Sequence, residues 1–121
     1  MTRVTELKCP HCHKGFVPTI EPYQDAYILI DTSHFKVMVG GERVRLTATE
    51  HRLLSCLVAN AGCILERRQI LASVWGWEYI NDLDHLRVFI WHLRRKIEPD
   101  PAHPQYIFCV KGIGYYFKER G

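Results

Sequence analysis

The chain has 121 residues, 47% of them apolar and 24% charged, with a formal net charge of +3. One modest globular core with a short extension suits that length and balance. No apolar run is long enough to cross a bilayer and the start, MTRVTELKCPHC, has no signal-peptide core, so no membrane partner and a cytoplasmic location are expected.

Residues 1–24 hold a Cys/His cluster, CPHCH, then Pro18 and Pro22, and keep no helical or strand period. They are set apart as an N-terminal extension from a domain over residues 25–121. Residues 26–46 predict a small antiparallel meander. Ala26 to Ile30 is a short β-rich run, and His34 to Val39 alternates with Phe35, Val37 and Val39 on one side. Gly40-Gly41 is a two-residue turn signal, and Arg43 to Leu46 alternates again. The period then changes. Thr47-Ala48-Thr49-Glu50 matches a capping box, Leu53, Leu54, Leu57 and Val58 follow at helical spacing, and Asn60-Ala61-Gly62 ends the helix. A second helix is expected from about Glu66 to Trp75, with Ile70, Leu71 and Val74 inward and Trp75 in the core. After an aromatic-rich loop over 76–81, a third helix is expected from about Asp82 to Ile97, stopped by Pro99. Tyr106 to Val110 and Tyr115 to Phe117 predict strands joined by a turn over Lys111-Gly112-Ile113-Gly114.

On a helical wheel Leu86, Ile90, Leu93 and Ile97 share the core face of the third helix. Asp84, Arg87, Val88, Trp91 and Arg95 lie opposite, with Arg94 at one edge and His85, His92 and Lys96 at the other. Guanidinium groups on such a face can fork onto guanine edges or bind phosphate oxygens. A basic helix alone is more often a solvated face with ordinary ion pairs. The hairpin changes the balance. Lys111 stands at its tip, and Gly112 and Gly114 allow a tight turn and close approach to a neighbouring minor groove.

The segments LTATEHRLLSCLVANAG, RRQILASVWG, LRVFIWHLRRKIEPDP and YIFCVKGIGYYF together resemble the OmpR/PhoB-type effector domain of bacterial response regulators, over roughly residues 26–118. The resemblance implies an α+β winged helix-turn-helix fold, with an N-terminal antiparallel sheet, three helices and a C-terminal β-hairpin wing. It implies sequence-specific binding of double-stranded DNA for transcriptional regulation, the third helix in the major groove and the wing on the minor groove. Head-to-tail pairing on direct repeats follows from it too. Its contact positions fall at Arg87, Trp91, His92, Arg94 and Arg95 on the helix, and at Cys109, Lys111 and Tyr115 in the wing. Trp91 departs from the small, polar or basic residue usual there, and Phe89 stands where the family often has a His or an aromatic residue. Cys109 replaces a hydroxyl that often meets phosphate. Trp77, Glu78 and Tyr79 lie in the loop where some members touch RNA polymerase, while the plainer reading has the two aromatics covering the core edge. The family's receiver domain has no room before the first predicted strand, so the expectation is a regulator without that phosphoryl switch, or a piece of a longer protein.

Cys9-Pro10-His11-Cys12-His13 admits three readings. As a zinc knuckle, Cys9 and Cys12 supply two thiolates, and His11, His13 or a dimer would have to complete four ligands. As a thiol-oxidant motif it would need to open a helix, which Gly15 and Pro18 spoil. As an unstructured remnant it carries free thiols. Cys56 and Cys63 are expected to be small apolar residues, and the odd total of five cysteines suggests no disulfide framework. No nucleophile–base pair, paired carboxylates or phosphate loop points to an enzyme. The rival to DNA binding is protein docking through Trp91.

Overall fold

The computed structural model describes residues 22–119, together with the backbone of two short strands at 7–8 and 15–16. The Cys9 and Cys12 cluster lies outside the described residues. Strands β1 (Leu7–Lys8) and β2 (Gly15–Phe16) pair antiparallel as a sheet of their own.

β3 (Tyr23–Gln24), β4 (Ile28–Asp31), β5 (Lys36–Val39) and β6 (Glu42–Arg43) form the expected antiparallel meander. Ile28, Ile30 and Val37 alternate inward and are buried. Two details differ from the sequence pattern. The sheet begins inside the stretch assigned to the extension: Tyr23 is buried, with its ring edge-on to Phe117 at 4.8 Å. Phe35 is not in a strand. Asp31 accepts a hydrogen bond from the Ser33 hydroxyl and sits against the His34 imidazole, which curls Thr32–His34 into a 3-10 turn. The chain leaves that turn with Phe35 at φ 50 and its side chain exposed.

α1 (Ala48–Ala59) starts as its capping box predicts: Thr47 Oγ1 accepts from the Glu50 amide, and the Glu50 carboxylate accepts from the Thr47 amide. β7 (Leu65–Glu66) was not predicted. α2 (Arg67–Val74) follows it, then a 3-10 turn at Trp77–Tyr79, then α3 (Leu83–Ile97), where the Asp82 side chain accepts from the His85 amide. β8 (Ile107–Val110) and β9 (Gly114–Phe117) make the hairpin, with β9 central in the sheet order β7-β9-β8. Leu53, Leu54, Leu57, Val58, Ile70, Leu71, Val74, Leu86, Ile90, Leu93 and Ile97 are all buried in one core, so the inward faces of the helices fall where the period puts them. Trp75 is only half-buried, its ring packed against His85 and Phe89 at the rim. Among the described residues no helix is long and apolar enough to cross a membrane.

Candidate functional site

The outer face of α3 carries the predicted side chains in unequal states. Arg87 is exposed, with Nη1 3.7 Å from a carboxylate oxygen of the still more exposed Asp84, a pair of little strength in water. Trp91 is 51% exposed. One helical turn on, the Arg95 guanidinium carbon lies 4.7 Å from the Trp91 ring centroid. His92 is half-buried, its Nδ1 3.9 Å from Glu50 Oε2. Lys96 Nζ donates to Glu50 Oε1. Burial works against the charged Glu50, but the Lys96 ammonium and the Thr47 amide outweigh it and hold that carboxyl below its ordinary pKa. Trp91, His92, Arg95, Lys96 and Glu50 line an open groove of about 420 Å³.

Two expected contact residues are placed otherwise. Arg94 turns inward and donates from Nε and Nη2 to the Ile107 carbonyl at 3.3 and 3.0 Å, pinning β8 to α3. Tyr115 is buried, because it lies on the central strand with Leu65 on one side and Cys109 on the other. Burial, and the Cys109 thiol beside it, push its phenol above the ordinary pKa, against the opposing pull of Arg94, Arg87 and Arg67. Tyr115 is therefore packed within the wing's own sheet and is not an exposed wing contact. Lys111 and Cys109 are exposed, and Gly112 takes φ 80 in the turn between the strands.

Arg67 and Arg68 went unnoticed in the sequence. They open α2 and, with Glu66, Leu83, Gly112 and Ile113, line a cleft of about 530 Å³ between α2, the start of α3 and the wing tip. Their arginine pair was visible, but their position depends on β7, which brings Glu66 opposite Gly114. Glu98 also went unnoticed. Buried just past α3, its carboxylate accepts from the amides of Gln105, Tyr106 and Ile107 at 2.7, 3.0 and 2.8 Å. This fixes the start of β8 relative to the end of α3.

The loop between α2 and α3 presents Trp77, 79% exposed, beside the exposed Glu78 and Tyr79. Trp77 covers no core edge, whereas Tyr79 stacks on His85 at 6.0 Å. His85 also packs against Trp75 and Phe89, and among the described residues its Nε2 is buried with no hydrogen-bond partner.

Cys56 has its thiol pushed up to about 11 by burial, Cys63 is buried, and Cys109 is exposed. Brief alkylation of the native protein at pH 8 is therefore expected to modify Cys109 well ahead of Cys56 and Cys63. Peptide-resolved mass spectrometry reads the order, and early labelling of Cys56 would contradict its burial. Among the described residues no group of three or more His, Cys, Asp or Glu side chains is placed to hold a metal ion.

Residues 41–117 match the family model described as "Transcriptional regulatory protein, C terminal". The chain is 41% identical over 90 residues to the KDP operon transcriptional regulatory protein KdpE of Escherichia coli, covering 74% of this chain and 40% of that protein. It spans about 40% of the length of the curated relatives it matches. Among solved structures, the response regulator DrrB, a Thermotoga maritima OmpR/PhoB homologue, superposes with a TM-score of 0.72 at 32% identity, over 80% of this chain and 44% of that one. The Klebsiella pneumoniae RstA DNA-binding domain, solved in complex with the RstA box, superposes with a TM-score of 0.69 at 28% identity, over 81% of this chain and 97% of that one.

Proposed function

The chain belongs to the transcriptional regulatory protein C-terminal family, the winged-helix effector domains of OmpR/PhoB-type response regulators, and from that premise we propose how it engages DNA. α3 enters the major groove of double-stranded DNA and reads sequence through Arg87, Trp91 and Arg95. Lys111 at the wing tip reaches the adjacent minor groove. Arg67 and Arg68 bind backbone phosphates and set the register. The observation that carries this reading is the convergence of α2, the start of α3 and the wing tip on one basic cleft, beside the exposed arginines of α3. A helix and a hairpin held side by side suit neighbouring grooves of one duplex. Copies arranged head to tail would occupy direct repeats, and the exposed Trp77 with Glu78 supports a contact of this loop with RNA polymerase.

Selection of random duplexes on the purified chain tests the reading first. An enriched motif, repeated directly, is the expected result; retention without enrichment would leave phosphate binding alone and favour Trp91 as a protein-docking residue. On the enriched duplex, Lys111→Ala is expected to weaken binding about tenfold and to make the log–log salt slope shallower by about 0.9, one phosphate's worth. Arg95→Ala should weaken binding and relax the preference at one base pair. Both side chains are exposed, so thermal melting should not move. Unchanged affinity in both variants would remove this surface from consideration.

A further inference from the structure

We infer that Trp91 and Arg95 act as one reading unit for a guanine adjacent to a thymine, an inference that rests on the DNA-binding reading above. The cations of α3 are not equivalent. Arg94 is tied to the Ile107 carbonyl, Lys96 to Glu50, and Arg87 faces Asp84. Among the described residues the Arg95 side chain makes no ion pair or hydrogen bond; its guanidinium carbon lies 4.7 Å from the Trp91 ring centroid. A guanidinium held against an aromatic face keeps its N–H donors free, because the attraction uses the ring's face and not those hydrogens. The stack therefore narrows the rotamers of Arg95 without consuming the fork.

Guanine offers O6 and N7 in the major groove, the pair of acceptors that a guanidinium fork fits. Thymine offers a C5 methyl, which takes an apolar partner. Trp91 supplies that partner, being a large ring half open to solvent on the same face. The two groups touch each other, so they fall on neighbouring base pairs. The indole has two tasks: it positions Arg95, and its free edge packs on the methyl.

The test uses the duplex recovered by selection and two atomic replacements. 7-Deazaguanine removes N7, and deoxyuridine removes the thymine methyl. For the unaltered protein, 7-deazaguanine at the read position is expected to lower affinity about tenfold and deoxyuridine about threefold. Arg95→Ala should be blind to the first replacement, and Trp91→Ala blind to the second. Trp91→Ala should also blunt the response to 7-deazaguanine, which a ring acting only on the methyl would leave intact. Thermal melting of each variant guards against loss of fold. A motif with no adjacent thymine and guanine, or equal sensitivity of all proteins to both replacements, overturns the unit while leaving DNA reading in place. A pool with no enriched motif overturns both.

Discussion

Glu98→Ala is expected to destabilise the domain by about 4 kcal/mol, a large share of the about 5–15 kcal/mol that holds a small domain folded. The carboxylate is buried and satisfies three consecutive backbone amides, those of Gln105, Tyr106 and Ile107. Each buried amide left without an acceptor costs about 1–3 kcal/mol, and the exposed Gln105 recovers part of that from water. Glu98→Gln should be milder, because one amide oxygen remains while its NH2 group opposes a backbone donor. Urea melts of both variants measure the difference. A loss below about 1 kcal/mol in Glu98→Ala would show that the amides find other partners.

Gly114→Ala is expected to separate β7 from β9. A Cβ on Gly114 would lie 1.9 Å from the Leu65 carbonyl oxygen and 3.0 Å from Glu66 Cα, and these are backbone atoms that cannot swing aside. The strand pairing Leu65–Tyr115 and Glu66–Gly114 must open, at about 3 kcal/mol or more. Gly112→Ala is the control. Its Cβ would meet nothing within 4 Å, so only the φ of 80 opposes it, at about 1 kcal/mol. Hydrogen exchange should show the amides of β7 and β9 losing protection in Gly114→Ala alone. Equal effects from the two glycines would mean that the close approach to Leu65 is relieved elsewhere.

Local signals carried much of this fold. The Thr47 capping box, the inward stripes of the three helices and the Gly40-Gly41 turn depend on neighbours within a few residues, and the structure has them all. What escaped the sequence depends on distant partners. β7 is two residues long and exists because β9 pairs with it. Tyr23 belongs to the core because Phe117 meets its ring. Glu98 carries no local signal beside Pro99, and its importance comes from amides that follow a proline-rich loop. Arg94 sits at the edge of the wheel, where spacing cannot choose between solvent and the Ile107 carbonyl. Phe35 failed for the opposite reason: bonding among Asp31, Ser33 and His34 replaced the alternating strand. The contact positions came from family resemblance, and burial then divided them, leaving Arg87, Trp91, Arg95 and Lys111 at the surface and taking Tyr115 out of it.

The wing is no swinging arm. β9 is flanked on both sides, and Arg94 fastens β8 to α3. Wing tip and α3 are in effect the jaws of a caliper with a fixed gap. On the proposed interface a duplex must match that gap or deform to fit it, and the deformation energy varies with base sequence. Base pairs that no side chain touches would then influence binding through groove width and stiffness.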